Sequence, residues 1–285
     1  VPSMSELIEV LEKEGFTHVH VSTPGPLGIM AFVAAKVLGL KVSFAYHTDL
    51  PRYAYIYTKD ENLEKFLLKL FVGVAKLSDK FFVPSEYYRR MFVAEGVEPN
   101  KVKIFRRGVD TETFSPDKRV EDFWSKRLGK KVKRVILFVG RVAKEKNLDT
   151  FMYVAKCFPE ETFVVVGDGP YREELEKKKP KNVYFVGYMR GEELAQAYAS
   201  SYVFLFPSET ETYAQVVLEA MTSGLPVIVS SEGASREHVK DYANGFIATT
   251  KEDYIKKLSL ILSDENLRNS MSVEARKYAL SLDMR

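Results

Sequence analysis

Four short runs of apolar residues recur in the second half of the chain, and enough residues for a helix separate each run from the next. The runs are Val135–Val139, Phe163–Val166, Tyr202–Phe206 and Leu225–Val229. Because they are apolar at successive positions, and not only at alternate ones, these runs are typical of strands that are buried on both faces. Buried strands that alternate with helices form parallel sheets, so this half of the chain is predicted to be an α/β domain.

The first half of the chain shows a similar alternation. Residues 3–14 and 28–38 are predicted to be helices, and residues 18–22 and 42–46 are predicted to be strands. A length of 285 residues with a hydrophobic content of 46% is sufficient for two domains that each bury a core. We therefore expect an N-terminal domain over residues 1–117 and a C-terminal domain over residues 135–285.

Residues 118–134 are predicted to form a solvated linker between the two domains, because this stretch lacks a regular apolar period. Its second half carries six basic residues, which are Lys126, Arg127, Lys130, Lys131, Lys133 and Arg134. Contact with an anionic membrane is an alternative role for these charges.

The overall composition says little about partners but argues against several kinds of site. The formal net charge of +3 is small and gives no indication of nucleic-acid binding. Cys157 is the single cysteine, which excludes a disulfide framework and fits a reducing compartment, so we expect a cytoplasmic protein. The histidines are scattered along the chain, and no metal site is implied.

Residues 207–224 contain the best candidate for a binding site. Apolar residues recur at helical spacing from about Thr212, and a glycine and a proline end the predicted helix. A helix that follows a buried parallel strand directs its first, unpaired amides into the crevice where α/β proteins bind ligands. These amides form an anion site, and the carboxylates of Glu211 and Glu219 suit sugar hydroxyls on either side of the anion.

Each glutamate also has an ordinary structural interpretation, in which Glu211 complements the helix dipole and Glu219 is a solvated side chain. The complete segment PSETETYAQVVLEAMTSGLPV, however, resembles the donor-binding segment of family GT4, the retaining glycosyltransferases with the GT-B fold. That resemblance implies that Glu211 contacts the transferred sugar and that Glu219 binds the nucleotide ribose. It also implies that amides of the intervening residues hold the diphosphate, and these residues are Thr212, Tyr213 and Ala214.

The segment GRVAKEKNLD follows the run Val135–Val139. A glycine after a strand and a basic pair in a loop are common in any α/β fold. The segment nevertheless resembles the GT4 pattern in which an arginine and a lysine, here Arg141 and Lys146, clamp the diphosphate of a GDP- or UDP-linked sugar. The departing nucleoside diphosphate gains negative charge as the glycosidic bond breaks, so fixed cations stabilise the transition state. No metal and no further cofactor is implied.

The segment VGDGP follows the run Phe163–Val166 and also resembles a GT4 segment. A Rossmann dinucleotide loop is the alternative interpretation. The G-x-G-x-x-G spacing is absent and no helix opens directly on the glycines, so the dinucleotide loop is disfavoured.

The segment YHTD, residues 46–49, ends the second predicted strand. It resembles the GT4 segment whose histidine, here His47, lies beside the sugar and the reacting centre. A lone histidine is more often structural. An aspartate at the end of a strand, here Asp49, can equally cap the following turn.

A tyrosine-rich loop is predicted over residues 51–57, and a helix is predicted from about Asn62 to Leu77. The apolar stripe of this helix, which includes Leu67 and Phe71, is wider than one core contact requires. Core packing is one interpretation, and an apolar acceptor groove or a membrane-contacting surface is the other. The order of these segments resembles the GT4 branch that glycosylates lipids. That branch includes sulfoquinovosyltransferases and the mannosyl- and glucosyltransferases that act on diacylglycerol or phosphatidylinositol.

The resemblance covers nearly the whole chain and implies two Rossmann-like domains that face a cleft. GT4 proteins have further βα units ahead of the first segment and a helix after the last one. We therefore expect that both ends of the chain are cut and that the N-terminal domain is incomplete. The loop EGASRE, residues 232–237, replaces the double glycine that is usual in the family, which leaves its amide contacts open.

The function that follows from the resemblance is transfer of a hexose from a GDP- or UDP-linked sugar to an acceptor. The expected acceptor is a membrane glycolipid or phospholipid, with the protein peripheral on the inner face of the plasma membrane. Two alternatives remain. The acceptor is a polysaccharide or a small molecule, or the chain is a fragment that binds a sugar nucleotide without turnover.

Overall fold

Both halves of the chain are built on a parallel sheet, as the alternation of apolar runs and helices predicts. The structure, a computed structural model, describes residues 2–105 and 107–283. The chain divides into two compact units, Val1–Arg106 and Arg107–Arg285, and the described residues form a sheet of four strands in the first and of six strands in the second. The prediction of an α/β protein with two Rossmann-like domains is confirmed.

The first unit alternates helices with parallel strands. Its elements are α1 (Met4–Lys13), β1 (His18–Val21), α2 (Pro26–Val37), β2 (Lys41–Ala45), α3 (Leu50–Thr58), α4 (Glu61–Leu77), β3 (Lys80–Val83), α5 (Glu86–Ala94) and β4 (Val102–Ile104). The strands lie in the order β1-β2-β3-β4, and all neighbours are parallel. At least one helix joins each strand to the next, as parallel pairing requires.

The two faces of this sheet carry different side chains, because successive residues of a strand point to opposite faces. One face packs on helices through aromatic pairs, which are Phe44 with Phe32 of α2, Tyr46 with Phe71 of α4, and Phe81 with Phe92 of α5. The other face is more polar. It lines a cavity of about 450 Å³ with residues that include His18, His20, Ser43 and Phe82.

The tyrosine-rich segment is helix α3 and not the predicted loop. Asp49 precedes this helix and accepts a hydrogen bond from the Arg52 N–H at 3.1 Å, which caps the first turn. Pro51 lies in the same first turn, where a missing N–H leaves no helical hydrogen bond unmade. The prediction of a loop was wrong because the proline begins a helix here.

Helix α4 divides its apolar residues between the core and the surface. Phe71 is 5% exposed, and its ring lies edge-on to Tyr46 with centroids 5.1 Å apart. The core interpretation is therefore correct for Phe71, and Leu67 is partly buried. Three other side chains of the stripe stay in solvent, namely Phe66, Leu70 and Leu77, which are 60%, 46% and 59% exposed. Their spacing of four and seven residues places them on one side of the helix.

The second unit contains the larger sheet. Its helices and strands are α6 (Phe123–Leu128), β5 (Val135–Val139), α7 (Leu148–Cys157), β6 (Thr162–Val166), α8 (Arg172–Lys178), β7 (Val183–Gly187), α9 (Gly191–Ala199), β8 (Val203–Phe206), α10 (Gln215–Thr222), β9 (Val227–Ser230), β10 (Gly245–Ala248), α11 (Lys251–Ser263) and α12 (Glu265–Leu280). Short 3-10 turns occupy Pro116–Lys118, Lys144–Lys146 and Ala234–His238. The strand order is β10-β9-β8-β5-β6-β7, with all neighbours parallel.

The strand order reverses at β5, which pairs with both β6 and β8. From β5 the chain adds strands on one side as far as β7, and then it returns to the other side with β8. The loops that leave β5 and β8 therefore diverge and open a crevice at the carboxyl ends of these strands, where open α/β sheets bind ligands. The first loop carries Arg141 and Lys146, and the second carries Glu211.

The stretch predicted as a solvated linker, residues 118–134, is packed onto the second unit. Trp124 on α6 is 3% exposed, and its indole N–H donates to the Ser201 hydroxyl at 3.0 Å. Arg127 forms an ion pair with Glu193 at 2.9 Å. The first unit also ends at residue 106, earlier than the predicted position 117. The pattern of apolar residues did not predict this packing, because a single tryptophan in a charged stretch produces no periodicity.

The division of α4 leads to a matched pair of variants on one helix. Phe71→Ala should destabilise the first unit by about 3–5 kcal/mol, because it leaves a cavity beneath the sheet. Phe66→Ala removes an exposed ring and should change the stability by no more than about 0.5 kcal/mol. Chemical denaturation, monitored by a spectroscopic signal from the first unit, gives the free energy of unfolding of each variant. Equal destabilisation by the two variants would contradict the assignment of Phe71 to the core.

Candidate functional site

The loop after β5 packs closely against the loop after β6. A Cβ atom on Gly167 would lie 1.9 Å from the Gly140 carbonyl oxygen, and a Cβ atom on Gly169 would lie 2.4 Å from the Val142 carbonyl oxygen. The Val142 N–H donates to the Asp168 carbonyl at 3.0 Å. The glycines of VGDGP therefore allow two loops to touch, and their contact supports the loop that carries the predicted cations.

Arg141 and Lys146 lie in different environments within this loop. The Lys146 ammonium forms an ion pair with the Glu211 carboxylate, and the two side chains are 14% and 15% exposed. The Arg141 side chain is 60% exposed, and its guanidinium lies 4.0 Å from the buried carboxylate of Glu145. The structure therefore brings two of the predicted site residues, Lys146 and Glu211, into direct contact across the crevice. Arg141 extends from the same loop into solvent.

Glu211 is held by its side chain and by its backbone. Its carboxylate also accepts a hydrogen bond from the Ser208 hydroxyl at 3.1 Å. Its carbonyl accepts one from the Ala234 N–H at 2.9 Å. Gly233 has a φ of 75°, and a Cβ atom there would lie 2.7 Å from the Glu209 carbonyl oxygen. The EGASRE loop thus packs directly on the segment around Glu211, and the Ala234 amide binds within the protein.

Residues 212–214 form a turn ahead of α10 and not the first turn of the helix. Ala214 has φ 61° and ψ 54°, which is the left-handed region, and α10 begins at Gln215. The predicted helix start at Thr212 was therefore three residues too early. The Val217 N–H donates to the Ala214 carbonyl at 3.0 Å, whereas the amides of Gln215 and Val216, the first two residues of α10, have no intrahelical acceptor.

Glu219 lies on the second turn of α10 and is half-buried. Its Oε2 atom accepts a hydrogen bond from the Tyr198 hydroxyl at 3.0 Å, and Tyr198 is fully buried. Burial raises the pKa of Glu219 to about 7, although the hydrogen bond from Tyr198 acts in the opposite direction. The two glutamates therefore differ, because Glu211 faces a cation and Glu219 faces a neutral phenol.

His47 belongs to the first unit and lies just after β2. Its side chain is exposed and lines the cavity of about 450 Å³, together with His20 and Ser43. The Ser43 hydroxyl lies 2.7 Å from His20 Nδ1. His47 is thus accessible to a ligand at the carboxyl end of the first sheet.

The residues on either side of His47 have structural roles. The Asp49 carboxylate accepts hydrogen bonds from the hydroxyls of Tyr46 and Tyr88, both at 2.9 Å. Burial raises the pKa of both phenols, and the neighbouring Asp49 carboxylate raises it further, so the phenols remain donors. Asp49 is therefore a helix cap and the acceptor of a buried network, which is the structural alternative that the sequence left open.

Three further residues support the predicted site and were not predicted from the sequence. Ser208 contacts Glu211, Tyr198 contacts Glu219, and His238 contacts the Tyr213 carbonyl. Ser208 lies in the segment PSETETYAQVVLEAMTSGLPV and could have been predicted, because it is only three positions before Glu211 in the sequence. The other two residues lie on different elements, α9 and the 3-10 turn Ala234–His238, and no local pattern identifies them.

Two absences hold for the described ranges, residues 2–105 and 107–283. They contain no group of three or more His, Cys, Asp or Glu side chains arranged to hold a metal ion. They also contain no helix with the length and the apolar content that a membrane span requires.

Comparison with known proteins identifies the family. Residues 120–278 match the sequence profile of the glycosyl transferases group 1, and residues 1–113 match that of glycosyltransferase family 4. A sulfoquinovosyl transferase of Arabidopsis thaliana, SQD2, is 34% identical over 275 residues, which is 94% of this chain and 54% of that protein. The chain belongs to the group 1 glycosyltransferases, and the resemblance noted from its motifs is confirmed.

Two further proteins are similar to this chain, one in sequence and one in structure. A GDP-mannose-dependent alpha-mannosyltransferase of Mycobacterium tuberculosis (strain CDC 1551 / Oshkosh) is 35% identical over 234 residues, which is 82% of this chain and 60% of that protein. The crystal structure of Anabaena HepE in complex with UDP and glucose matches with a TM-score of 0.80 at 18% identity, over 98% of this chain and 77% of that one. This chain thus spans little more than half the length of the two sequence relatives.

The raised pKa of Glu219 predicts a pH-dependent stability. The folded state binds a proton more tightly than the unfolded state, because the pKa is about 7 when folded and 4.5 otherwise. The stability that this proton provides is complete below pH 4.5 and is lost as the pH rises to about 7. Relative to wild type, Glu219→Gln should therefore become more stable across this window and then level off, by on the order of 3 kcal/mol at most.

Chemical denaturation at a series of pH values measures this difference. Glu274→Gln is a suitable control, because Glu274 is 48% exposed on α12 of the same unit. A difference between Glu219→Gln and wild type that does not change with pH would show that Glu219 is solvated.

Proposed function

We propose that this protein is a retaining glycosyltransferase that moves a hexose from a GDP- or UDP-linked sugar to an acceptor. The observation that carries the proposal is the ion pair between Lys146 and Glu211 at the point where the strand order reverses. It sets a cation for a phosphate beside a carboxylate for a hydroxyl, and the turn of residues 212–214 leads from Glu211 into the start of α10. A sugar diphosphate needs these groups in this order.

Each group then has a defined role. Lys146, Arg141 and the amides of residues 212–214 bind the diphosphate, while Glu211 accepts hydrogen bonds from hydroxyls of the transferred sugar. Glu219 accepts hydrogen bonds from the ribose. The exposed Arg141 side chain has the freedom to move onto a phosphate, whereas Lys146 is already fixed by Glu211. A fixed cation requires little reorganisation when charge develops on the leaving group.

The bond between the sugar and the diphosphate breaks as the oxygen of an acceptor hydroxyl forms a bond to the same carbon on the same face of the sugar, and the hydroxyl proton passes to an oxygen of the leaving diphosphate. The leaving diphosphate takes the bonding electrons, and Lys146 and Arg141 stabilise the charge that develops on it. Since the protein already supplies two cations and a set of amides, we propose that no metal ion is needed. His47 is proposed to contact the transferred sugar, on the strength of the motif resemblance alone.

For the acceptor we propose a membrane lipid. Phe66, Leu70 and Leu77 form an exposed apolar stripe on α4, which we name the α4 stripe. Lys65, Lys69 and Lys76 are exposed on the same helix. An apolar stripe with flanking lysines is the pattern of a helix that lies in the interface of an anionic membrane. The motif order of the lipid-glycosylating branch supports the same acceptor class. On this proposal the protein is peripheral at the membrane surface.

Nucleotide binding tests the proposed donor site. UDP or GDP at 100 times its dissociation constant should stabilise the protein by about 2.7 kcal/mol, and EDTA should leave this effect unchanged. Glu219→Gln should weaken the nucleoside diphosphate itself, because the ribose contact is lost. Glu211→Gln should weaken only the sugar-bearing donor, since its contact is with the sugar. Calorimetric titration of each variant with UDP, GDP and their glucose and mannose conjugates measures these affinities.

The donor experiment has outcomes that would refute the proposal. A wild-type protein that binds neither nucleotide, or that binds only with added metal, would overturn the donor site as described. Equal losses for both kinds of ligand in both variants would overturn the division of roles between the two glutamates.

Vesicle binding tests the proposed acceptor surface. The double variant Phe66→Ser, Leu70→Ser should bind vesicles with anionic lipid at least about tenfold more weakly than wild type, because it removes the apolar contact. Its nucleotide affinity should not change. Val273→Ser is the matched control, because Val273 is 65% exposed on the other unit. Sedimentation with vesicles of phosphatidylcholine and phosphatidylglycerol measures the binding. If the double variant and the control bind equally well, the α4 stripe is not a membrane surface.

A further inference from the structure

A buried histidine holds the turn that precedes α10. His238 ends the 3-10 turn Ala234–His238 and is 5% exposed. Its Nε2 atom lies 2.6 Å from the Tyr213 carbonyl oxygen. A carbonyl has no proton to donate, so Nε2 carries the hydrogen and donates it. The other ring nitrogen, Nδ1, lies 3.2 Å from the Tyr278 hydroxyl, which donates to it when the ring is neutral.

The orientation of this ring is fixed by more than its two hydrogen bonds. The rings of Tyr213 and His238 are nearly perpendicular, at 85°, with centroids 5.2 Å apart. The Tyr213 hydroxyl in turn donates to the Arg107 carbonyl, which lies in the same unit. Tyr213 is therefore anchored both at its backbone and at the end of its side chain.

The hydrogen bond to the Tyr213 carbonyl also determines the direction of the next amide. A trans peptide is planar, so its C=O and the following N–H point in opposite directions. A carbonyl that points at His238 therefore directs the Ala214 N–H away from His238. Ala214 is 2% exposed, and within residues 107–283 its N–H has no acceptor. A buried amide without an acceptor needs a partner, and a bound anion supplies one.

Ala214 also needs support for its own conformation. Its φ of 61° is in the left-handed region, which a residue with a Cβ atom adopts only when its surroundings require it. The hydrogen bond from His238 fixes the peptide on the N-terminal side of Ala214. Loss of that bond would allow the peptide to rotate and the amide to turn out of its present direction.

We propose that His238 is a positioning residue that directs the Ala214 amide at the diphosphate of the sugar nucleotide, with Tyr278 holding the histidine ring. This inference rests on the proposed function, because it concerns the same donor site. His238 acts through the turn and does not touch the ligand. It lies just after the EGASRE loop, where this chain lacks the usual double glycine of its family.

Two substitutions at position 238 separate positioning from simple packing. His238→Leu fills the site but has no donor, so UDP or GDP affinity should fall about tenfold, as expected for one lost hydrogen bond. His238→Gln places an amide N–H at about the reach of Nε2 and should restore most of the affinity. Tyr278→Phe removes only the hydroxyl that orients the ring, and we expect a smaller loss than for His238→Leu. Calorimetric titration gives the affinities, and thermal melting gives the stability of each variant.

A stability control completes the experiment. Ile261→Val trims a fully buried side chain on α11 and should lower the melting temperature without changing nucleotide affinity. If His238→Leu binds nucleotide as well as wild type, or if His238→Gln is as weak as His238→Leu, the positioning role is wrong while the donor site stands. If His238→Leu does not fold, a loss of affinity in Tyr278→Phe together with nearly wild-type affinity in His238→Gln would still support the role of the N–H, and a tenfold loss in His238→Gln would overturn it. A wild-type protein that binds neither UDP nor GDP would overturn the proposed function and this inference together.

Discussion

The reversal of strand order at β5 is the constraint on which the site in the second unit depends. Two adjacent parallel strands that send their chains in opposite directions leave a crevice between their carboxyl ends. That crevice exists before any particular side chain is placed in it. The close contact of Gly167 with the Gly140 carbonyl then keeps one wall in position, and the contact of Gly233 with the Glu209 carbonyl does the same for the other. Backbone packing fixes both walls of the crevice. The side chains on the walls are therefore not needed to hold them in place and are available for binding.

The charges in the crevice are arranged so that neighbouring groups have different tasks. Lys146 and Glu211 neutralise one another across the crevice, which limits the cost of removing both from water. Glu219, on the second turn of α10, accepts a hydrogen bond from the Tyr198 phenol, and burial raises its pKa. Burial therefore makes the Glu219 carboxylate easier to protonate near neutral pH. A ligand with a diphosphate and two sugars has a comparable alternation of charge and hydroxyl groups.

Structural features that produce a repeated local pattern could be predicted from the sequence. Features that depend on a single distant contact could not. The continuous apolar runs identified the strands of the second sheet, because burial on both faces leaves a trace at every position. The start of α10 was misplaced because it was predicted from the spacing of apolar residues, which does not reveal that Ala214 adopts the left-handed region. The linker prediction differed because Trp124 is a single buried residue among charges. His238 had no signal, since its partners are Tyr213 and Tyr278, 25 and 40 positions away.

Within the four residues of the YHTD segment, residues of a structural network lie beside a residue that is exposed. Tyr46 and Asp49 belong to a hydrogen-bonded network in the core of the first unit, whereas His47 between them is exposed. On the proposed function, a substitution at any of the three is expected to lower the activity measured in a living cell. At the outer two positions, however, the loss would arise from a smaller amount of folded protein, cleared by proteolysis, and not from a slower reaction. If the whole motif were invariant among relatives, that invariance would not mean that every residue of the motif takes part in the chemistry, because some would be retained for stability.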